Sequence, residues 1–222
     1  CLGCASAAFG WNGSGTEQDP YLIQNEQDII ELRDQINCGD NEYAGDYFAM
    51  TNDIALAGDW TPIGTEIYQF RGHWDGRNHG VSNVNITSTS DTVGFFTQIS
   101  DNATIANFRI LSGQIKGDSI VGGLVGLAKN ATITNCANAA KVEGKAIVGG
   151  IAGRAYECRI TRTFNTGQCS SDHAPNRYNN YVVGGLVGFA TNTELNSCYN
   201  TGAISASGNR FYVGGLLGEA SE

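Results

Sequence analysis

Residue types able to do chemistry are few in this sequence, and most stand alone. The densest group is His73-Trp74-Asp75-Gly76-Arg77-Asn78-His79, two imidazoles six residues apart with a carboxylate between them. Such a set could hold a metal ion or share a proton. The same residues also read as a tight Asp75-Gly76 turn between two strands with both imidazoles solvated, and the turn is the reading adopted here. Glycan-cleaving enzymes need clustered carboxylates with a basic partner. The acids Asp118, Glu143, Glu157, Asp172 and Glu194 never fall at the same position of adjacent repeats. The sequence has no Gly-x-Ser-x-Gly elbow, no His-Glu-x-x-His and no phosphate loop. No catalytic, metal or cofactor-binding residue is therefore assigned.

The seven cysteines fit an oxidising compartment, and Cys1-Leu2-Gly3-Cys4 has no second Cys-x-x-Cys with which to build a zinc site. Cys1 fits the lipidated residue left when a lipoprotein signal is cut, and fits an arbitrary start as well. If the N-terminal segment is tied down by a disulfide, Cys38 with Cys4 or Cys1 is the expected pair. Asn12, Asn85, Asn102 and Asn130 each open an Asn-x-Ser/Thr sequon that permits glycosylation.

Composition limits the partners. Thirteen Lys plus Arg against 22 Asp plus Glu give a net charge of -9, with no basic run to neutralise a phosphate backbone. Nucleic acid is thereby excluded as a partner. No apolar run approaches the roughly 20 residues of a spanning helix. Thirty Gly among 222 residues, with abundant Asn, Thr and Ser, mark a turn-dense β protein.

Internal repeats supply the architecture. Val121-Gly122-Gly123-Leu124-Val125-Gly126 recurs from Val148, Val183 and Val213, and a degenerate copy begins at Val93, giving intervals of 28, 27, 35 and 30 residues. Each unit then carries an alternating run, such as Ala131-Thr132-Ile133-Thr134-Asn135-Cys136, and a third short run such as Ala140-Lys141-Val142. Three short strands per unit cannot bury a face alone, so units must stack as coils of a parallel, three-sided, all-β solenoid. Stacking predicts interior columns of Ile105, Ile133, Ile160, Leu195 and of Phe108, Cys136, Thr163, Cys198. In the second column Thr163 keeps Cys136 and Cys198 two coils apart and unbridged. Asn138, Asn165 and Asn200 fall in register before a turn, where stacked amides can bond along the axis.

Residues 1–19 form an N-terminal segment, 20–90 a cap with the first coils, and 91–222 the repeats. The cap contains the chain's one convincing helix, capped by Asn25, with Ile29, Leu32, Arg33 and Ile36 on one face and Gly39 at its end. Tyr181 and Phe211 align on one column where earlier coils carry Ser119 and Ala146. With Tyr178 and Tyr212 they could form an aromatic platform for a sugar ring or a protein, or merely cover the core edge.

Gly123-Leu124-Val125-Gly126 and its copies resemble the GLUG motif, Gly-Leu-hydrophobic-Gly, of bacterial surface and secreted proteins, some of them immunoglobulin A peptidases. The cap phrases Gly15-Thr16-Glu17-Gln18-Asp19-Pro20-Tyr21, Trp60-Thr61-Pro62-Ile63-Gly64 and Phe70-Arg71-Gly72-His73-Trp74-Asp75-Gly76 are similar to theirs. The resemblance implies an extracellular β-solenoid, often one module of a larger adhesin-like protein. The third unit departs from the pattern, with Arg162-Thr163-Phe164 and an insertion at residues 170–181. The expected function is that of a non-enzymatic structural or adhesive module at the cell surface, binding a surface glycan or protein or stacking end to end into a filament. The alternative is a carbohydrate-active β-helix enzyme.

Overall fold

A computed structural model describes residues 10–39, 43–172, 181–207 and 211–221. Every strand pairing within them is parallel, and the strands line up in five sheets of seven, six, five, five and five members. Each strand bonds to its equivalent one coil away, which is the β-solenoid the repeats require. Val93, Val121, Val148, Val183 and Val213 pair in that order along one sheet.

The sequence pattern predicts three strands per coil, and five form. The Val-Gly-Gly phrase is one run in sequence but two strands in space, Ile120–Gly122 and Val125–Lys129, parted at its paired glycines. The Asn-containing step adds a strand of two residues, Ala137–Asn138, too short to show any periodicity.

The interior column of Ile105, Ile133, Ile160 and Leu195 stacks as expected. It continues backwards through Trp74, Phe48 and Tyr21. The N-terminal coils are thus filled by large rings: Phe48, Phe70, Trp74, Phe95, Phe96 and Phe108 are each at most 1% exposed. Trp74 meets Phe96 and Phe108 edge to face. Later coils hold Val, Leu, Ile, Ala and Cys in the same continuous core.

The helix Glu26–Asn37 starts with a capping box, Asn25 accepting from the Asp28 N–H while Asp28 accepts from the Asn25 N–H. Its Ile29, Leu32 and Ile36 join the core. Arg33 stays partly exposed with its guanidinium 5.0 Å from the Trp60 ring centroid. Asn37 fastens the helix end to the next segment: its Nδ2 donates to the Pro62 carbonyl at 3.0 Å and its Oδ1 accepts from the Gly64 N–H at 2.6 Å.

Inside the repeats the stacked asparagines form a ladder. Asn138 Nδ2 donates to Asn165 Oδ1, and Asn165 Nδ2 to Asn200 Oδ1, both at 2.9 Å. The amides also close their own turns, Asn165 donating to the Gly167 carbonyl at 2.7 Å and accepting the Gly167 N–H at 3.2 Å. Asn138 and Asn165 are fully buried, so each of these bonds replaces a costly desolvated group.

The second glycine of three repeats, Gly123, Gly150 and Gly185, makes room for the ladder. A Cβ on Gly150 would lie 2.4 Å from both Asn165 Cγ and the Gly185 carbonyl oxygen; Gly123 and Gly185 face Asn138 and Asn200 in the same way. Gly150→Ala is therefore expected to cost about 3 kcal/mol or more through overpacking. Asn165→Ala should cost a similar amount, about 3 kcal/mol, or a fall in Tm of about 6–12 °C, by orphaning buried partners. Thermal melts of both variants and of the double variant check this. The double variant should not recover, because the Gly185 carbonyl still blocks the added methyl.

Candidate functional site

His73 and His79 flank a turn and serve different partners. The strand His73–Asp75 is followed by Arg77 and Asn78 in left-handed conformations, with φ 47° and 66°. Asp75 Oδ1 accepts from the Arg77 N–H and from Asn107 Nδ2, each at 2.8 Å, which holds that turn. The His73 ring stacks on Tyr47 at 4.3 Å, and its Nδ1 lies 3.0 Å from Thr104 Oγ1. Burial lowers the His73 pKa, with the Glu17 charge opposing it. His79 instead meets Asp53 at 3.4 Å. Among the described residues no three His, Cys, Asp or Glu side chains converge as a metal site would require.

The aromatic column forms as aligned, Tyr181 opposite Phe211 with ring centroids 5.3 Å apart. Tyr181 is only 5% exposed, in a small satellite cluster with Ala146, Ile147 and Val182. The third glycine of the later repeats seats the aliphatic members of that cluster. A Cβ on Gly153 or Gly188 would come within 2.7 Å of the Ile120 or Ile147 Cγ2 methyl, so outward aliphatic side chains sink over bare backbone. Tyr212 ends this aliphatic column and is 51% exposed. Tyr178 lies outside the described residues, as do Cys1, Cys4 and the Asp172 side chain. Column alignment overlooks a second aromatic pair, Phe164 and Tyr199, whose rings stack at 4.9 Å and 2°. Their position just before Asn165 and Asn200 was the available signal.

The acids need a finer description than equivalent positions provide. Glu143 is engaged by Lys141 and Gln114, and the Lys141 hydrogen bond holds its carboxyl below the ordinary range. Glu157 and Glu194, however, line one open groove of about 420 Å³ together with Arg159, Asn130 and Asn192. They occupy neighbouring columns, corner and strand, and so border the groove diagonally. The corner column runs Asn102, Asn130, Glu157, Asn192, all left-handed with φ of 66°, 47°, 53° and 46°. Glu157 is the member for which that conformation is least natural. Arg159 Nε contacts Glu194 Oε2 at 3.0 Å, occupying one of the two carboxylates. The sequon residues Asn12, Asn85, Asn102 and Asn130 are all exposed.

Two stretches, residues 117–143 and 179–205, match the family model described as the GLUG motif. These repeats are GLUG motifs. A provisionally named Gly-rich membrane protein of Evansella cellulosilytica is 26% identical over 136 residues, covering 56% of this chain and 15% of that protein. Halomucin of Haloquadratum walsbyi is 30% identical over 146 residues, covering 60% of this chain and 2% of its own length. The chain thus spans a small part of either relative. A provisionally named immunoglobulin A1 protease from Bacteroides ovatus shares the fold, with a TM-score of 0.75 at 23% identity over 95% of this chain and 64% of that one.

Four cysteines of the repeat coils, Cys136, Cys158, Cys169 and Cys198, are free thiols. Thr163 separates Cys136 from Cys198 as the register requires, its Oγ1 accepting the Cys136 N–H at 3.3 Å. The expected pairing of Cys38 with Cys1 or Cys4 involves residues outside the described ones. Burial pushes the Cys136 and Cys169 thiols up to about 12, so neither supplies thiolate at neutral pH. In native protein at pH 8, iodoacetamide should label the half-buried Cys198 first and leave Cys136 and Cys169 unmodified until denaturant is added. Peptide mass mapping against time checks the order.

Proposed function

We propose that this chain is a non-enzymatic β-solenoid module of a cell-surface or secreted protein, with a structural and adhesive role. The supporting observation is how its side chains are used. The interior is committed to packing and to the Asn ladder, while the exterior carries polar columns in axial register, including Thr134 with Thr161 at 2.9 Å and Arg159 with Glu194 at 3.0 Å. A rigid rod with repeating polar faces suits scaffolding and multivalent attachment to a surface glycan or protein. Relatives named for a membrane and for a mucin support the surface location.

Val213 and Leu216 on the last described coil are 53% and 41% exposed. They offer a row on which another coil, from the same chain or a second copy, would stack. A carbohydrate-active reading draws on the groove of Glu157, Arg159 and Glu194, and the pairing of Arg159 with Glu194 weighs against it. Antibody raised against the chain should label intact source cells. The purified chain, incubated with a polysaccharide panel and with immunoglobulin A1, should release no reducing ends or peptide fragments. Cleavage that disappears in both Glu157→Gln and Glu194→Gln would establish the enzyme instead.

A further inference from the structure

On the outer face of the first coils lies a second groove, of about 340 Å³, whose lining includes Glu17, Tyr47, His73, Asp75, Arg77 and Thr104. Register explains why it is hollow. The outward column there reads Ala49, Asp75, Ala106, and then Thr134, Thr161 and Asn196 farther along. Asp75 therefore stands between two methyl groups, and the neighbouring column of Tyr47, His73 and Thr104 forms a wall beside it. The wall is fixed by the Tyr47–His73 stack and by the His73 contact with Thr104. Asp75 is fixed at one oxygen only. Its Oδ1 takes both the Arg77 N–H and Asn107 Nδ2, and Oδ2 has no hydrogen-bond partner among the described residues. Arg77 reaches this lining from the turn that follows the strand.

The mixture of groups selects the ligand class. Two carboxylates oppose an anion, Arg77 opposes a simple cation, and this many charges oppose a hydrocarbon. A sugar offers hydroxyl donors for Asp75 and Glu17, hydroxyl acceptors for Arg77, and a C–H surface for Tyr47. The volume is at the small end of ligand sites, enough for one or two rings. We propose that this groove is a binding subsite for a neutral sugar unit of a glycan. It rests on the adhesive reading above for its biological use, but its test is separate from surface labelling, so either can fail alone.

Trp74 borders the groove from the core side, so saturation transfer is the primary readout and any change in Trp emission is secondary. Titrations of the whole chain with lactose, cellobiose, chitobiose and mannobiose, followed by saturation-transfer NMR and Trp emission, should give saturable millimolar binding for at least one sugar. Asp75→Asn keeps the Oδ1 acceptor and hence the turn, while Ala106→Phe fills the hollow from outside the core. Each should weaken binding at least about tenfold with an unchanged melt. Asp91→Asn, at an exposed carboxylate that lines neither groove, should bind as the parent does. The proposal is overturned if no probe saturates below about 10 mM, if both groove variants bind normally, or if Asp91→Asn loses binding equally.

Discussion

The Asn165 side chain, sealed between coils, uses all of its hydrogen-bonding capacity. Both Nδ2 protons are given, to the Gly167 carbonyl and to Asn200, and Oδ1 receives the Asn138 amide and the Gly167 N–H. Such an amide tolerates neither a slip of one residue nor a change of coil spacing, because either would leave buried polar atoms unpaired at about 1–3 kcal/mol apiece. The glycine facing it follows from the same requirement. The degenerate coil obeys the converse: Phe95 stands where later repeats have the glycine, and Ile110, not Asn, stands at the facing position. The two positions change together because they share one volume.

That dependence explains why so much of the fold is legible from sequence. Recurrence of the Val-Gly-Gly phrases sets the register, whatever the length of the loops between them, and register sets the interior columns, the Asn ladder and the separation of Cys136 from Cys198. The helix is legible because its cap residues and its Ile29, Leu32, Ile36 stripe are local signals. The number of strands per coil is not, since a two-residue strand such as Phe164–Asn165 is defined by its neighbours' hydrogen bonds and by no pattern of its own.

Surface sites are less legible, for physical reasons visible in particular residues. Tyr181 aligns with Phe211 correctly, yet it is buried in a cluster with Ala146, Ile147 and Val182, which alignment of the aromatics alone does not reveal. Glu157 and Glu194 line one groove from two different columns, so a search confined to equivalent positions passes over them. The hollow at Asp75 is made by what Ala49 and Ala106 lack, and an alanine becomes informative only once its coil neighbours are known.

Buried side-chain amides, and not backbone pairing alone, lock the coils together. Hydrogen exchange of the Asn side-chain amides, followed by NMR on labelled protein, measures that lock. The Nδ2 protons of Asn138 and Asn165 should exchange as slowly as the backbone amides of the adjoining strands, while those of exposed Asn102 and Asn130 should exchange at the rate of free amides. Rapid exchange at Asn138 and Asn165 in an otherwise protected solenoid would contradict it.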